Sequence, residues 1–468
     1  MKNSTTSSLL ALSLLLSACA VGPDYERASS PAPASFKETE GWKIGQPQTV
    51  DADPNWWAIF NDPVLDGLEK EVTVNSFNIA AAEAAYRSAV ATADQANAAL
   101  FPVIGVSGGV TRSKGASQVN TDITAGASLS WQLDVWGKLR RSLEAAEASA
   151  DASGDQLAAA RLSVQAALAS DYFSLRGADE LKRLLDATVV AYEKSLQITQ
   201  NQYKAGTASK SDVDQALTQL EGTRSSAIAV GTTRAQLEHA IAVLLGKAPA
   251  DFTLAAAPGL ADMPSFPVTV PSALLERRPD IAAAERQMAA ANANIGVAIA
   301  AYFPDLTFSA DTTNSASSFN KLFSAGHNVW SFGPSLAETV IDWGARGARV
   351  DQARAAYDQQ VANYRQTVLT AFQQVEDDMV AITHLGRQAE VEERAVTAAS
   401  EAERLITNQY RAGTVAYTSV VTAQAAALQA KQSALAIRQN RLTTAVALLQ
   451  AMGGGWKDPK LADASPPR

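Results

Sequence analysis

The sequence predicts a mainly α protein with a small β part, built from two tandem copies of one unit. Three observations carry this. The motif Asn-Gln-Tyr-basic-Ala-Gly-Thr occurs at 201–207 and again at 408–414, an offset of 207 positions. Each motif closes a long proline-free stretch, from Lys138 to Lys204 and from Gly344 to Arg411, the mark of a long helix. Each stretch follows segments that alternate apolar and polar residues, the period of a strand. The repeat is not local. Trp136-Gly137 matches Trp343-Gly344, and Leu245-Gly246 matches Met452-Gly453, at the same offset. Upstream, Asn78 to Glu83 matches Asp280 to Glu285 and Phe101-Pro102 matches Phe303-Pro304 at an offset of 202, so the second copy gains five residues before Trp343.

Taken in order, the chain opens on an export signal over 1–18. Lys2 is the positive start, Leu9 to Leu16 the apolar stretch, and Ser17-Ala18 the small residues before Cys19. The apolar run is too short for a membrane span, which needs roughly 20 residues. Cys19 is the only cysteine of the 468 residues, so no intrachain disulfide is possible. Leu16-Ser17-Ala18-Cys19 looks like a bacterial lipobox, in which Cys19 carries lipid. Ala20, where an aspartate often marks inner-membrane retention, favours sorting outward.

The strand segments come next. Ala127, Leu129, Trp131 and Leu133 alternate with Gly126, Ser128, Ser130 and Gln132, and Val103 to Thr111 is the partner strand, giving a hairpin at about 103–134. Leu306, Phe308 and Ala310 alternate with Thr307, Ser309 and Asp311, and Trp330, Phe332 and Leu336 with Ser331, Gly333 and Ser335, giving a second at about 305–341. Strands of this length and pattern suit a membrane barrel, apolar outward and polar inward.

The long helices follow. Val361, Val368, Val375 and Ile382 fall seven apart, with Tyr357, Tyr364, Ala371 and Leu385 on the second seam, an a/d pattern for coiled-coil packing. Asp171 and Asp378, repeat equivalents, interrupt the seam and face either a water-filled bore or a polar layer. Each helix ends in a tight turn to an antiparallel partner, at about 204–211 and 411–418. Gly206 and Gly413 suit the left-handed closing position, and Ser211 and Thr418 are the expected N-caps.

Counting strands decides the assembly. One chain supplies four, bacterial barrels start at eight, and an open sheet edge is not tolerated in lipid. Identical copies must therefore share a barrel. The small polar inner face favours three chains and a 12-stranded transmembrane β-barrel with a lumen over two chains with a filled one.

Several stretches together resemble one family: Val21 to Tyr25 after the cysteine, Asn55-Trp56-Trp57-Ala58-Ile59-Phe60-Asn61-Asp62-Pro63, Leu275 to Ile281, and Tyr302-Phe303-Pro304. It is the TolC-like outer-membrane efflux lipoproteins, the NodT/OprM branch, and the resemblance runs from Cys19 to about Gly455. It implies a homotrimeric tube with its barrel in outer-membrane lipid and a periplasmic helical barrel. The tube would be the passive exit duct for small molecules in a tripartite pump. The implied partners are a periplasmic adaptor (membrane fusion) protein and an inner-membrane transporter of the resistance-nodulation-division type. The resemblance divides the chain into a lipidated segment and equatorial strap (19–65), a first repeat (66–247), an equatorial linker (248–275), a second repeat (276–454) and a tail (455–468). It puts the helix turns at the periplasmic tip, where the tube closes and the adaptor docks. The implied gate residues are Tyr203, Lys204, Gly206, Asp212, Asp214, Tyr410, Arg411, Gly413, Tyr417, Thr418 and Thr422. The family often has an aspartate where Thr422 stands. Neither Thr422 nor its equivalent Gln215 can supply a carboxylate, so an acidic ring would need Asp212 or Asp214. Arg277-Arg278-Pro279-Asp280 reads structurally: the proline breaks one helix and Asp280 caps the next.

Other function classes find little support. His239, His327 and His384 are isolated, and no phosphate-cradling glycine loop appears, so no enzyme, metal or cofactor is expected. The formal charge of −9 gives no basic nucleic-acid surface. A duct for type I protein secretion and a non-transport coiled-coil lipoprotein are the alternatives. The two membrane hairpins at equivalent points argue against the latter.

Overall fold

The computed structural model describes residues 20–29, 33, 35–37, 55–115, 118–257, 259–264, 277–324 and 326–456. The export signal, Cys19, residues 38–54 of the strap, 265–276 of the linker and the tail beyond 456 lie outside the described residues. After a short 3-10 turn at Trp56–Phe60 come helices α1 (Pro63–Asn75) and α2 (Phe77–Ala98), strands β1 (Val103–Lys114) and β2 (Val119–Leu133), and helices α3 (Lys138–Lys204) and α4 (Lys210–Leu244). The second run is α5 (Pro279–Ala300), β3 (Asp305–Ala316), β4 (Asn328–Ala337), α6 (Ala345–Arg411) and α7 (Tyr417–Ala451). Equivalent helices have equal lengths: 22 residues in α2 and α5, 67 in α3 and α6, 35 in α4 and α7. On the α6 seams Tyr364, Val368, Ala371, Val375 and Ile382 are buried, and Tyr357, Val361 and Leu385 half-buried. Among the described residues no helix is long and apolar enough to cross a membrane.

The chain forms two compact units, and each takes part of both copies. The first comprises Met1–Ser30, Ala84–Asp155 and Ala282–Thr367. Its four strands make one antiparallel sheet in the order β1-β2-β3-β4. The register explains why these strands meet. Ile104 faces Leu129, Leu129 faces Ala310, and Ala310 faces Phe332; the rows Trp131–Phe308–Pro334 and Leu133–Leu306–Leu336 continue the same face. The opposite face carries Gly105–Ser128–Asp311–Ser331 and Ser130–Ser309–Gly333. Directly opposed residues share a face, and the apolar face turns mixed toward the hairpin ends, where Thr312 lies between Ala127 and Trp330 and Asn314 faces Asn328. β1 and β4 are its edges. In this unit Ala20 to Ser29 is also fixed. The Val21 N–H donates to Trp136 O at 3.1 Å, Arg141 pairs with Asp24 at 2.7 Å, and the Tyr25 hydroxyl donates to Glu285. Gly22, at φ +103, lies so near Gly296 that a Cβ there would stand 2.5 Å from its Cα.

The second unit comprises Pro31–Glu83, Gln156–Ile281 and Val368–Arg468. Trp56, Trp57, Phe60, Leu65, Tyr172 and Phe173 form part of its core. Tyr172 donates to Asp62 at 2.6 Å, and the Phe60 and Phe173 rings lie 4.8 Å apart. Pro279 begins α5, where its missing N–H costs nothing. Asp280, expected as the cap, is instead the second helical residue. Arg278 donates to its carboxylate at 3.0 and 2.6 Å while also holding Ala451 O at 3.0 Å and Gln374 at 2.9 Å. The Asp280 carboxylate thus serves both the guanidinium and the start of the helix, where its Oδ1 accepts from Ile281 N–H at 3.0 Å, from inside the first turn and not from the cap position. Asp171 and Asp378 are half-buried. Burial raises both pKa values, and burial plus the neighbouring Asp377 brings Asp378 up to about 6.

Candidate functional site

Both turns belong to the second unit, and the repeated motif is explained by what its atoms do there. After α3, Ala205 N–H donates to Asn201 O at 3.0 Å, Gly206 N–H to Tyr203 O at 3.0 Å and Thr207 N–H to Gln202 O at 2.9 Å. After α6, Ala412 N–H donates to Asn408 O at 3.0 Å, Gly413 N–H to Tyr410 O at 2.9 Å and Thr414 N–H to Gln409 O at 3.0 Å. Each threonine hydroxyl also donates to the same glutamine carbonyl, at 3.1 and 2.9 Å. Carbonyls at each helix end are thus given partners, and that of the glutamine two. Gly206 and Gly413 sit at φ +78 and +75, with nothing within 4 Å of where a Cβ would be, so backbone conformation alone demands glycine. The threonine role was not foreseen in sequence; its signal was its presence in both copies.

The exits from the turns differ. α4 is capped by Ser209, not Ser211. The Ser209 hydroxyl accepts from Asp212 N–H at 3.2 Å and the Asp212 carboxylate accepts from Ser209 N–H at 2.9 Å, a capping box. Ser211 and Thr418 lie inside α4 and α7, and the cap position of α7 is Ala416, without a side-chain bond. The spacing Ser-x-x-Asp occurs twice, at Ser209/Asp212 and at Ser211/Asp214; the chain closes the first into the capping box, while Asp214 pairs with Lys210. Asp212→Ala is expected to destabilise the start of α4 by about 1 kcal/mol, read as faster amide exchange over 209–213 with the rest of α4 unchanged.

What α7 lacks in a cap it has in burial. Tyr410 and Tyr417 are 8% and 2% exposed, pack with Ala216 and Val420, and are flanked by Leu196, Ile406, Val415 and Val421. Their rings lie 5.1 Å apart at 60°, an edge-on pairing. The Tyr417 hydroxyl bonds Ser195 Oγ at 3.2 Å; the Tyr410 hydroxyl is buried with no partner. Burial raises both phenol pKa values. Two charged members of the set bond within their own helices. Asp214 takes Lys210 at 2.5 Å and Arg411 reaches Asn408 at 3.5 Å. Tyr203, Lys204, Thr418 and Thr422 are exposed, and the Thr422 hydroxyl donates to Thr418 O at 2.9 Å. The structure thus joins Tyr410 to Tyr417 and leaves the exposed residues facing outward from the turns. Ser195, Ala216 and Val420 complete the cluster; their signal is seam spacing.

A two-faced four-stranded sheet with open edges, carried on paired long helices with matched turns, is the architecture of an outer-membrane channel subunit. The chain belongs to the outer membrane efflux protein family, whose model matches residues 68–247 and 270–454. It is the outer-membrane duct of an efflux system and not an enzyme. It is 30% identical over 472 residues to the toluene efflux pump outer membrane protein TtgC of Pseudomonas putida, covering 96% of each chain. It is 28% identical over 459 residues to the probable outer membrane lipoprotein SilC of Salmonella typhimurium, covering 96% of this chain and 98% of that one. The solved outer-membrane channel OprN superimposes with a TM-score of 0.85 at 28% identity, over 94% of this chain and all of that one.

Proposed function

We propose that three copies assemble a 12-stranded barrel in the outer membrane and a helical duct in the periplasm. Through it small molecules leave after delivery by a periplasmic adaptor and an inner-membrane transporter of the resistance-nodulation-division type. The observation that carries this is the sheet. Its apolar rows run from β1 to β4, yet among the described residues both edges are unpaired. In hydrocarbon those edge N–H and C=O groups need partners, and further copies supply them. The toluene named for TtgC supports a small apolar cargo. Lipid on Cys19 fits the fixed path of the residues that follow it and the lipoprotein description of SilC.

The paired turns are then the closing tip and adaptor contact, with Tyr203, Lys204, Gly206, Asp212, Asp214, Tyr410, Arg411, Gly413, Tyr417, Thr418 and Thr422 as its residues. The closed state rests on the Tyr410–Tyr417 cluster more than on exposed ion pairs, each worth only about 0–1 kcal/mol. The purified protein is expected to conduct little in planar bilayers. Tyr410→Ala with Arg411→Ala removes about 3 kcal/mol of packing, enough to move a closed–open balance roughly a hundredfold toward open. Unchanged current in the variant would remove the gate assignment.

A further inference from the structure

The two copies are repeated in their strand register as well as in their sequence. Val103 pairs with Ser130 in the first hairpin, and Asp305 pairs with Ala337 in the second. Asp305 and Ala337 are the equivalents of Val103 and Ser130 at offsets of 202 and 207. The strand pairings of the two hairpins therefore match, the five added residues falling in the second turn, and whatever joins the first to the second is a template for a junction that a lone chain cannot make.

The chain makes that junction once, between β2 and β3. Leu133 pairs with Leu306 where β2 meets β3. Just beyond, Trp136 stacks on Phe303 with ring centroids 4.9 Å apart and 25° between planes, and its indole N–H donates to Pro304 O at 2.9 Å. The equivalents are Trp343 for Trp136 and Phe101-Pro102 for Phe303-Pro304. In one chain these find nothing: Trp343 is 96% exposed and Phe101 62%. Val340 and Ile341 are exposed too, and β4 stops at Ala337, three residues short of the equivalent of the end of β2. Trp343 also lies at φ +55, a left-handed backbone that a bulky residue rarely takes and that Trp136 does not share, so in one chain the second tryptophan is not seated as the first is.

Resting on the shared-barrel reading, we propose that Trp343 of one copy locks onto Phe101-Pro102 of the next, fixing β4 against its neighbour's β1 in one register. Carrying the β2–β3 pairing across by the two offsets sets Val340 opposite Ile104, Ala337 opposite Ser107 and Leu336 opposite Gly108 of the next copy. Faces test the result. Ile104, Val106 and Val110 share the apolar face in β1, as do Phe332, Pro334 and Leu336 in β4, and this register joins apolar to apolar. A slip of one residue would set Leu336 against Ser107 or Gly109, on the polar face. The stack and its hydrogen bond seat Trp343 as Trp136 is seated, and only a second copy brings the ring that receives it.

The test uses full-length protein in detergent, with cysteine pairs oxidised across the junction. Leu336→Cys with Gly108→Cys is expected to give covalent dimers and trimers; at Gly108 a new Cβ would meet only Thr124 O, at 3.8 Å. Leu336→Cys with Val106→Cys or Val110→Cys, the two-residue slips, is expected to cross-link far less. Trp343→Ala and Phe101→Ala should each reduce the SDS-resistant trimer by about tenfold, with no further loss on combining them, while Trp343→Phe keeps most of it. A trimer that cross-links best through a slipped pair, or that ignores Trp343→Ala, overturns the lock and leaves the shared barrel standing. A monomer with no cross-link in any pair overturns both.

Discussion

Glu69→Leu is expected to make the protein more stable at neutral pH, by about 3 kcal/mol, with a gain that grows as pH rises. Glu69 lies in α1 on the face formed by Leu65, Leu68 and Val72, and is 0% exposed. Neither carboxyl oxygen has a hydrogen-bond partner. Burial without compensation disfavours the charged form and pushes the pKa from 4.5 up to about 9. Below about pH 4 the folded and unfolded states both hold the proton, and the group is neutral in the balance. Above it the unfolded chain ionises and the folded chain does not, so stability falls by about 1.4 kcal/mol per pH unit until about pH 9, where it levels. Leucine removes both the titration and the two unpartnered oxygens. Unfolding of the full chain followed at pH 5, 7 and 9 checks this. A gain that is the same at all three values would show that Glu69 does not stay protonated in the fold.

That residue shows where sequence reasoning stops. A glutamate in a helix reads as a solvated charge, and nothing local says that its face is inward. The long helices were legible because their evidence is local: no proline, seams at seven-residue spacing, a glycine at each end. The strands were legible from alternation, and the register then confirmed which residues share a face. The tip was half legible. Glycine at 206 and 413 followed from the turn, but nothing local in the sequence showed that Tyr410 and Tyr417 are buried against each other. They are buried because Ala216 from α4 and Val420 from α7 close over them, a juxtaposition set by tertiary packing. The cap went to Ser209 through Asp212, a pairing that comparison with Thr418 in the other copy obscured, since that copy uses no capping side chain.

Asp179→Asn is expected to destabilise the second unit by about 3 kcal/mol and to expose the segment after α4. Its side chain is 4% exposed and bridges two arginines, Arg176 at 3.2 Å and Arg234 at 2.6 Å. These arginines hold the linker backbone: Arg176 donates to Ala255 O at 2.8 Å and Arg234 to Leu254 O at 2.5 Å, with Glu238 accepting from Leu254 N–H at 2.6 Å. Asparagine keeps the shape but leaves the buried Arg176 facing a neutral amide and Arg234 with Glu238 alone, at 3.2 Å, and removing one partner of a buried pair is the costly case. The second copy supplies a natural control. Its equivalents of Arg176, Asp179 and Glu238 are Thr383, Gly386 and Ala445, while Arg234 is kept as Arg441, whose buried Nε has no partner. The network is thus an addition to the first copy, where a linker must be held, and not a requirement of the helical repeat. Limited proteolysis of Asp179→Asn should accordingly cut within 252–264 faster, by about a hundredfold if cleavage follows local opening, with the turns at 204–210 and 411–417 cut at the parent rate. Equal cleavage in parent and variant would mean that the linker is held by its apolar residues, Leu254 and Leu260, and that the buried charges are dispensable to it.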